Sequence, residues 1–162
     1  MAVDMFLKID TIKGEATDKT FGKAPAAMDV LAWSWGVSNS GTTHQGGGGG
    51  SGKASFQDIS ITKYVDAASH ALLGACATGQ HFKTASLHIR KAGKTQLEYI
   101  KIEMKEVLVT SVSTGGSGGE DRLTENISLN FAEVKFEYKP QKPDGSLDTA
   151  LPFTYNIAAN SV

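Results

Sequence analysis

Several short motifs in the sequence have the residue types of reactive sites, and one is a near match to a phosphate-binding loop. The run from Gly46 to Ala54 meets the pattern G-x-x-x-x-G-K at Gly47, Gly52 and Lys53. Ala54 stands where a serine or threonine hydroxyl should hold magnesium. The residues after it favour a strand, whereas a phosphate loop needs a helix whose N-terminus holds the phosphates. We therefore interpret the glycine run as a flexible loop.

A second motif, Gly115-Gly116-Ser117-Gly118-Gly119, satisfies G-x-S-x-G, the nucleophile elbow of α/β-hydrolases. That elbow needs a strand before the serine and a helix after it. Here the following residues have the alternation of a strand, so we favour a loop that joins the two longest strands. A serine hydrolase that uses Ser117 stays open as an alternative.

Metal-ligand residue types are present but poorly spaced. Cys76, His81 and His88 match no common zinc motif, and the chain has a single cysteine. Cys76 falls on the apolar stripe of a predicted helix, where a core thiol is the ordinary interpretation. We expect no metal and no cofactor.

Carboxylates cluster at Glu120, Asp121 and Glu125, and paired carboxylates are the groups that general acid–base chemistry uses. Arg122 lies among them, which favours a local or intersubunit salt-bridge network instead. No nucleophile, base and orienting group can be assembled from these motifs, so we expect a protein without catalytic residues.

Composition restricts the function classes further. The chain has 162 residues, a net charge of −1 and 40% hydrophobic residues, which suits one domain over 1–162 with a real core. The charge balance argues against nucleic acid as a partner. The charged N-terminus lacks the apolar run of a signal peptide, and no segment has the length of a transmembrane helix. We expect a protein that folds in the cytoplasm without membrane insertion.

Alternating apolar and polar residues predict a mainly β fold. The predicted strands are Met5–Ile9, Met28–Val37, Ala85–Lys91, Gln96–Val112, Asn126–Tyr138 and Phe153–Ile157. The alternation changes phase between Phe131 and Ala132, which predicts a bulge where the sheet bends. One helix is predicted over Ala67–Thr78, with Asp66 as its N-cap and Gly79 after its end. The pattern indicates an antiparallel β-barrel or sandwich with one flanking α-helix.

Four segments together resemble one known family. They are Asp29–Gly36, Gly46–Gly50, Ile61–Asp66 and Ser111–Asn126. Their sequences are similar to those of Hcp, the haemolysin-coregulated protein family of type VI secretion systems, and the likeness extends from Met1 to about Ile157. The block from Gly115 to Phe131 is its most specific part.

The resemblance implies a closed β-barrel, related in fold to phage tail tubes, that assembles as a homohexameric ring. Such rings stack into a tube that carries effectors in its lumen, that a VgrG-type spike caps, and that a contractile sheath expels from the cell. Secretion would then need no signal peptide. The alternatives are a cytoplasmic ring that acts as an effector chaperone or carrier, and a monomeric barrel that binds a small ligand. We expect no fused toxin.

The resemblance also implies sites of self-contact. The glycine-rich loop over residues 39–53 resembles an extended hairpin that reaches a neighbouring subunit or ring. Its contact residues would be His44, Gln45, Gly46, Gly47, Gly48, Gly49, Gly50 and Ser51. Candidates for the ring seam are Gly115, Gly116, Glu120, Asp121 and Arg122. The polar strand face with Lys101, Glu103 and Lys105 would line the lumen or meet the sheath, and residues 158–162 would form a loose tail.

Overall fold

The computed structural model of the protein describes residues 3–41 and 52–162. Within these ranges the chain forms strands and one helix. Their bounds are β1 Val3–Ile9, β2 Met28–Ser34, β3 Val37–Asn39, β4 Ala54–Phe56, β5 Ile59–Tyr64, α1 Ser69–Thr78, β6 His81–Lys91, β7 Leu97–Thr114, β8 Thr124–Tyr138 and β9 Leu151–Asn156. Each strand predicted from the sequence has a counterpart, except that Met28–Val37 is divided into β2 and the start of β3.

Six strands close into an antiparallel barrel. Their order is β5-β2-β1-β6-β7-β8, and the barrel closes because β5 also pairs with β8, from Ile59 opposite Leu129 to Tyr64 opposite Thr124. β9 continues the sheet beyond β8, and β3 forms a separate hairpin with β4. The prediction of a mainly β, antiparallel barrel with one flanking helix is confirmed.

The core fills the barrel because apolar and polar side chains alternate along its strands. Leu7, Leu87 and Leu129 have no solvent exposure, and Leu72 of α1 joins the same cluster. Burial of each such side chain contributes about 1.5–3 kcal/mol relative to its exposure.

Trp33 and Trp35 both pack, partly buried, against this core. The ring of Trp35 lies 6.0 Å from that of Phe56 and 6.1 Å from that of Phe131, measured between centroids. Its Nε1–H donates to the carbonyl oxygen of Gln57 at 3.0 Å. The indole therefore fastens the β3–β4 hairpin to the barrel.

The predicted bulge at the phase change of β8 is displaced to the neighbouring strand. Burial in β8 does change from odd-numbered residues up to Phe131 to the even-numbered Val134. The register with β7 is continuous there, and the shift lies on β7 between Val109 and Ser111. Glu106 of β7 also has a φ of 53°. The prediction was wrong on position because β8 exchanges β5 for β9 as its neighbour at this point, and β7 makes the bend.

Helix α1 begins two residues later than predicted. Its N-cap is Ala68 and not Asp66, and the Asp66 carboxylate accepts a hydrogen bond from the Ala68 amide at 2.9 Å. The end of the helix is as predicted, since Gly79 has a φ of 68°, in the left-handed region that favours glycine. No helix among residues 3–41 and 52–162 is long and apolar enough to cross a membrane.

Residues 10–27 lie across β1 and β6 and cover the polar face of β6, which carries His88 and Arg90. Phe6 and Phe21 stack there with centroids 4.5 Å apart. Arg90 lies beside both rings, and its two terminal nitrogens donate to the Asp18 carboxylate at 2.5 and 3.3 Å. Consequently Arg90 and His88 are only 4% and 9% exposed.

Two predicted loops can be placed in part. The segment 39–53 joins β3 to β4, but residues 42–51, which include all of the contact residues predicted from His44 to Ser51, lie outside the described residues. At the C-terminus, residues 158–161 turn back on β9. The amide of Asn156 donates to the carbonyl oxygen of Ser161 at 2.7 Å, and the reverse bond is 3.1 Å.

Candidate assembly surfaces

The predicted seam residues share one loop, which joins β7 to β8 and is called here the β7–β8 loop, residues 115–123. Gly115, Gly116, Glu120, Asp121 and Arg122 are all exposed. The loop therefore brings the predicted residues together on the surface.

Within the chain, the β7–β8 loop packs against the end of β5. The Arg122 guanidinium carbon lies 3.7 Å from the centroid of the Tyr64 ring, a cation–π contact. The Val65 amide donates to the carbonyl oxygen of Leu123 at 3.0 Å. None of the salt bridges found among the described residues involves Arg122, so its in-chain partner is an aromatic ring and not a carboxylate.

A buried charge network, called here the anchor network, fixes the base of this loop. Lys63 Nζ lies 2.5 Å from Glu125 Oε1 and 2.8 Å from Asp66 Oδ1, and it donates a third bond to the carbonyl oxygen of Tyr64. The Ser69 hydroxyl donates to Glu125 Oε1 at 2.7 Å. The network ties β5, the start of β8 and the start of α1 together.

The sequence analysis missed the anchor network, although a signal for it was present. Lys63 is two residues after Ile61 and falls on the same buried side of β5 as Ile59 and Ile61. Glu125 is two residues before Ile127 and falls on the buried side of β8. A charge in the buried phase of each of two strands indicates a buried pair, because an isolated buried charge is very costly.

Asp29 of β2 lies on the exposed side of its strand, where part of the solvent around its carboxyl is displaced. Loss of solvent around its carboxyl raises the pKa of Asp29, and the nearby positive charge of Arg122 opposes that rise only in part. Arg122 therefore also acts electrostatically on β2, on the side where that strand is exposed.

The outward face of the β2–β5–β8–β7 sheet carries short uncharged polar side chains, and we call it the hydroxyl face. By register, its rows consist of Ser34, Ser60, Ser128 and Ser111, and of Ala32, Thr62, Asn126 and Ser113. Hydrogen bonds join Ser111 to Ser128 at 2.8 Å and Thr62 to Asn126 at 2.7 Å. The face is polar but has no charge in these two rows.

The same sheet has two open edges among the described residues. β1 pairs with β2 only at Met28 and Asp29, so the rest of β2 to Ser34 has β5 on one side alone. β6 pairs with β7 only as far as Leu108, so β7 from there to Thr114 has β8 on one side alone. Open strand edges present unpaired backbone donors and acceptors to a partner.

The other half of β7 and β8 carries a lattice of alternating charges, called here the charged face. Lys101, Glu103 and Lys105 of β7 lie opposite three β8 residues of opposite sign, Glu137, Lys135 and Glu133. Lys101 Nζ is 2.7 Å from Glu103 Oε1, and this hydrogen bond lowers the pKa of Glu103 and raises that of Lys101. The charges compensate one another within the face.

The two reactive motifs of the sequence are not in the structural context that their chemistry needs. Ser117 lies in the β7–β8 loop and is followed by strand β8, not by a helix, and strand β4 begins at Ala54, directly after Lys53. Within residues 3–41 and 52–162, no three His, Cys, Asp or Glu side chains lie close enough together to hold a metal ion. Cys76 is half-buried and packs against the main core.

Comparison with known proteins agrees with the barrel topology. Residues 6–138 match the family described as type VI secretion system effector, Hcp. The chain belongs to the Hcp family. It is 57% identical to protein hcp1 of Pseudomonas aeruginosa, over 99% of this chain and 98% of that protein.

Solved structures of Hcp-family proteins have the same fold. A structure described as a type six secretion system protein superposes with a TM-score of 0.91 at 32% identity, and covers 99% of both chains. Hcp1 from Salmonella typhimurium superposes with a TM-score of 0.77 at 33% identity, again over 99% of both chains. The family resemblance found in the sequence is confirmed, and the chain is a type VI secretion Hcp protein.

Proposed function

We propose that the chain is the structural subunit of a type VI inner tube. It forms homohexameric rings that stack, carries effectors in the lumen, and is expelled when a surrounding sheath contracts beneath a VgrG-type spike. It is made in the bacterial cytoplasm and leaves the cell through this system. This role needs no catalysis and no cofactor.

The observation that carries the proposal is the pair of open edges on the β2–β5–β8–β7 sheet. They belong to different strands, so they support a head-to-tail contact in which β7 of one copy pairs with β2 of the next, as a closed ring requires. Neighbouring strands in this sheet alternate in direction, so β2 and β7 run oppositely. A joint between them therefore keeps the antiparallel alternation.

In the proposed ring, the hydroxyl face and the charged face lie on opposite sides. The inner side of the four-stranded sheet is covered by the rest of its own barrel, whereas its hydroxyl face is uncovered. The rest of each barrel occupies more space than the four-stranded sheet, so in a closed ring it lies on the outer side, where the circumference is larger. The hydroxyl face then lines the lumen. The two uncharged rows would hold no cargo by strong charge attraction, and the nearest carboxylate, that of Asp58, accepts hydrogen bonds from Thr110 and Asn130. The charged face, with Lys101, Glu103 and Lys105, then lies toward the sheath.

The β7–β8 loop lies at the same seam, because it begins where the open edge of β7 ends. Arg122 is held over Tyr64 and influences Asp29 of β2, the strand with the other open edge. We expect Arg122→Glu to weaken ring assembly, and an unchanged ring would remove Arg122 from the seam. Stacking through the 39–53 loop is proposed from the family resemblance, with its contact residues outside the described ranges.

Native mass and negative-stain images of the purified protein test the ring. A six-subunit mass with annular particles supports it, and a monomer at high concentration contradicts it in favour of a ligand-binding barrel. Rings that never stack at any concentration would favour the chaperone-like alternative.

The edge contact itself is tested by proline at two adjacent β7 positions, Val112→Pro and Ser113→Pro. Amide direction alternates along a strand, so one proline removes a donor to β8 and the other removes a donor to the open edge. The variant that loses the donor to the open edge should be a monomer with a melting temperature near that of the wild type. The variant that loses the donor to β8 should have a lower melting temperature. Rings from both variants would refute the edge contact.

A further inference from the structure

A pocket of about 570 Å³ opens on the charged face, between β6, β7 and the turn after β1. Its walls combine apolar side chains, such as Ile12, Pro25 and Met104, with the polar side chains of Ser86, His88 and Lys8. The volume is that of a site for a small molecule, and such sites combine apolar walls with a few convergent polar groups. The tube-building role makes no use of it.

At one side of this pocket, three side chains form a chain of hydrogen bonds. Ser86 Oγ lies 2.8 Å from His88 Nε2, and His88 Nδ1 lies 3.1 Å from Glu98 Oε2. Ser86 and His88 share one face of β6 because they are two residues apart, and Glu98 reaches them from β7. Nucleophile, base and orienting carboxylate at these distances are the signature of an activated serine.

The surroundings hold the imidazole in one orientation. His88 is 9% exposed, and the ring of Phe21 lies 4.9 Å from its own, measured between centroids. Burial raises the pKa of Glu98, but the hydrogen bond from His88 and the nearby charges of Lys101 and Lys139 outweigh it and leave that pKa below its usual value. Ionised Glu98 accepts a hydrogen bond from Nδ1–H, so Nε2 is left to accept the proton of Ser86.

Charged groups on both sides of Ser86 complete the site. Across β1, Lys8 lies directly opposite Ser86 and lines the pocket. Across β7, Glu103 lies opposite Ser86, and its charge is compensated by Lys101 at 2.7 Å. Lys8 is therefore the positive charge directly opposite the serine in register, and the Asp10 carboxylate also lines the pocket.

We propose that this pocket hydrolyses small carboxylic esters, with Ser86 as nucleophile and His88 as general base. Ser86 Oγ bonds to the ester carbonyl carbon as its proton passes to His88 Nε2, and Lys8 faces the oxygen that becomes negative. The C–O bond to the alcohol then breaks, and Nε2–H protonates the departing alkoxide. Water gives a proton to His88 Nε2 as its oxygen bonds to the acyl carbon; the bond from that carbon to Ser86 Oγ then breaks, Nε2–H protonates Oγ, and the acid leaves. Glu98 positions His88 throughout.

The expected activity is slow because the backbone amides of β6 are engaged in its pairing with β1 and β7. Lys8 replaces the pair of backbone donors that usually holds an oxyanion, and loss of one such donor typically costs about 10²–10³ in rate. The proposal does not depend on ring assembly, so either can fail without the other.

The test is active-site labelling of the full chain with a fluorophosphonate probe, together with hydrolysis of p-nitrophenyl acetate. We expect the probe on Ser86 by peptide mass spectrometry, and no label in Ser86→Ala. Ser117→Ala is the matched control, since Ser117 is the serine of the G-x-S-x-G motif and should leave label and rate unchanged. His88→Gln should lower the rate about 100-fold, in the range of general-base contributions.

Lys8→Gln separates catalysis from folding, because it should lower kcat and leave both the melting temperature and the site of labelling unchanged. Ser86→Cys supplies a second fold control, since it retains a nucleophile that iodoacetamide can map. A probe attached elsewhere, an unlabelled wild type, or equal rates for wild type and Ser86→Ala would overturn the proposal. The three residues would then serve only to fasten residues 10–27 to the sheet.

Discussion

Loss of Lys63 should destabilise the protein more than loss of any exposed charge. Lys63 and Glu125 are 2.5 Å apart with fully buried side chains, and Lys63 Nζ donates all three of its protons. Lys63→Met leaves the Glu125 carboxylate buried without its cation. Removal of one partner of such a pair costs about 3–5 kcal/mol. For a domain of this size, that lowers the melting temperature by roughly 6–20 °C.

Two further variants make this measurement decisive. Lys63→Met with Glu125→Leu removes both charges, and because apolar replacement of a whole buried pair is often neutral, most of the loss should be recovered. The control is Lys105→Met, which breaks a 3.5 Å pair with Glu133 whose side chains are 66% and 41% exposed. Exposed pairs contribute about 0–1 kcal/mol, so the control should lie close to the wild type.

The assay is urea unfolding followed by tryptophan fluorescence, with calorimetry for the melting temperature. All variants must be compared at one concentration and in one oligomeric state, because association adds to apparent stability. A loss below about 1 kcal/mol for Lys63→Met would refute the reasoning. It would mean that water reaches the pair, so that the anchor network does not fix the β7–β8 loop. A double variant no better than the single one would instead indicate a packing role for the lysine stem.

Three further predictions concern backbone conformation and pH. Gly79→Ala should cost about 1 kcal/mol in the same assay, because Gly79 has a φ of 68°. Glu106→Gly should raise the free energy of unfolding by about 0.5–1 kcal/mol, since Glu106 has a φ of 53°. Lys105→Gly is the control and should lower it. A lower free energy of unfolding for both variants would contradict the prediction. Asp18→Asn should cost about 1–2 kcal/mol at pH 7, because the hydrogen bond from Arg90 lowers the pKa of Asp18 from 3.8 to about 2. Ionised Asp18 stabilises the fold above pH 4 and this stability is lost as the pH falls toward 2, so the unfolding free energies of variant and wild type should converge there.

Sequence periodicity was sufficient for the long strands β7 and β8 because each has one apolar side. It did not delimit β4 or β5 as strands, and β6 begins four residues before the predicted start at Ala85. Periodicity also located the end of α1, since Gly79 follows the last apolar residue of the helix. The start was misplaced because Asp66 does cap an amide, that of Ala68, but two residues too early in the chain. The sequence therefore predicted correctly that the Asp66 side chain caps a backbone amide, but the first residue of α1 inferred from it was wrong.

Pairing between distant strands could not be predicted from single-strand patterns. The open edges exist because β6 stops pairing at Leu108 and β1 stops at Asp29, and both limits depend on register. The Ser86–His88–Glu98 contacts have the same origin, since Glu98 reaches the histidine only through the pairing of β6 with β7. His88 lies on the polar face of β6, but residues 10–27 cover that face and leave it 9% exposed.

The phase change within β8 separates two stretches of its outward face that differ in charge. Before it, the outward residues are Thr124, Asn126, Ser128 and Asn130, and after it they are Glu133, Lys135 and Glu137. The outward chemistry therefore changes from uncharged to charged where the strand leaves β5 for β9. A strand that kept one phase would bury Lys135 or expose Val134, and either would cost several kcal/mol. The position of the bend and the change of chemistry must therefore coincide, so that in the proposed ring one strand would present uncharged side chains at one end and mutually compensating charges at the other.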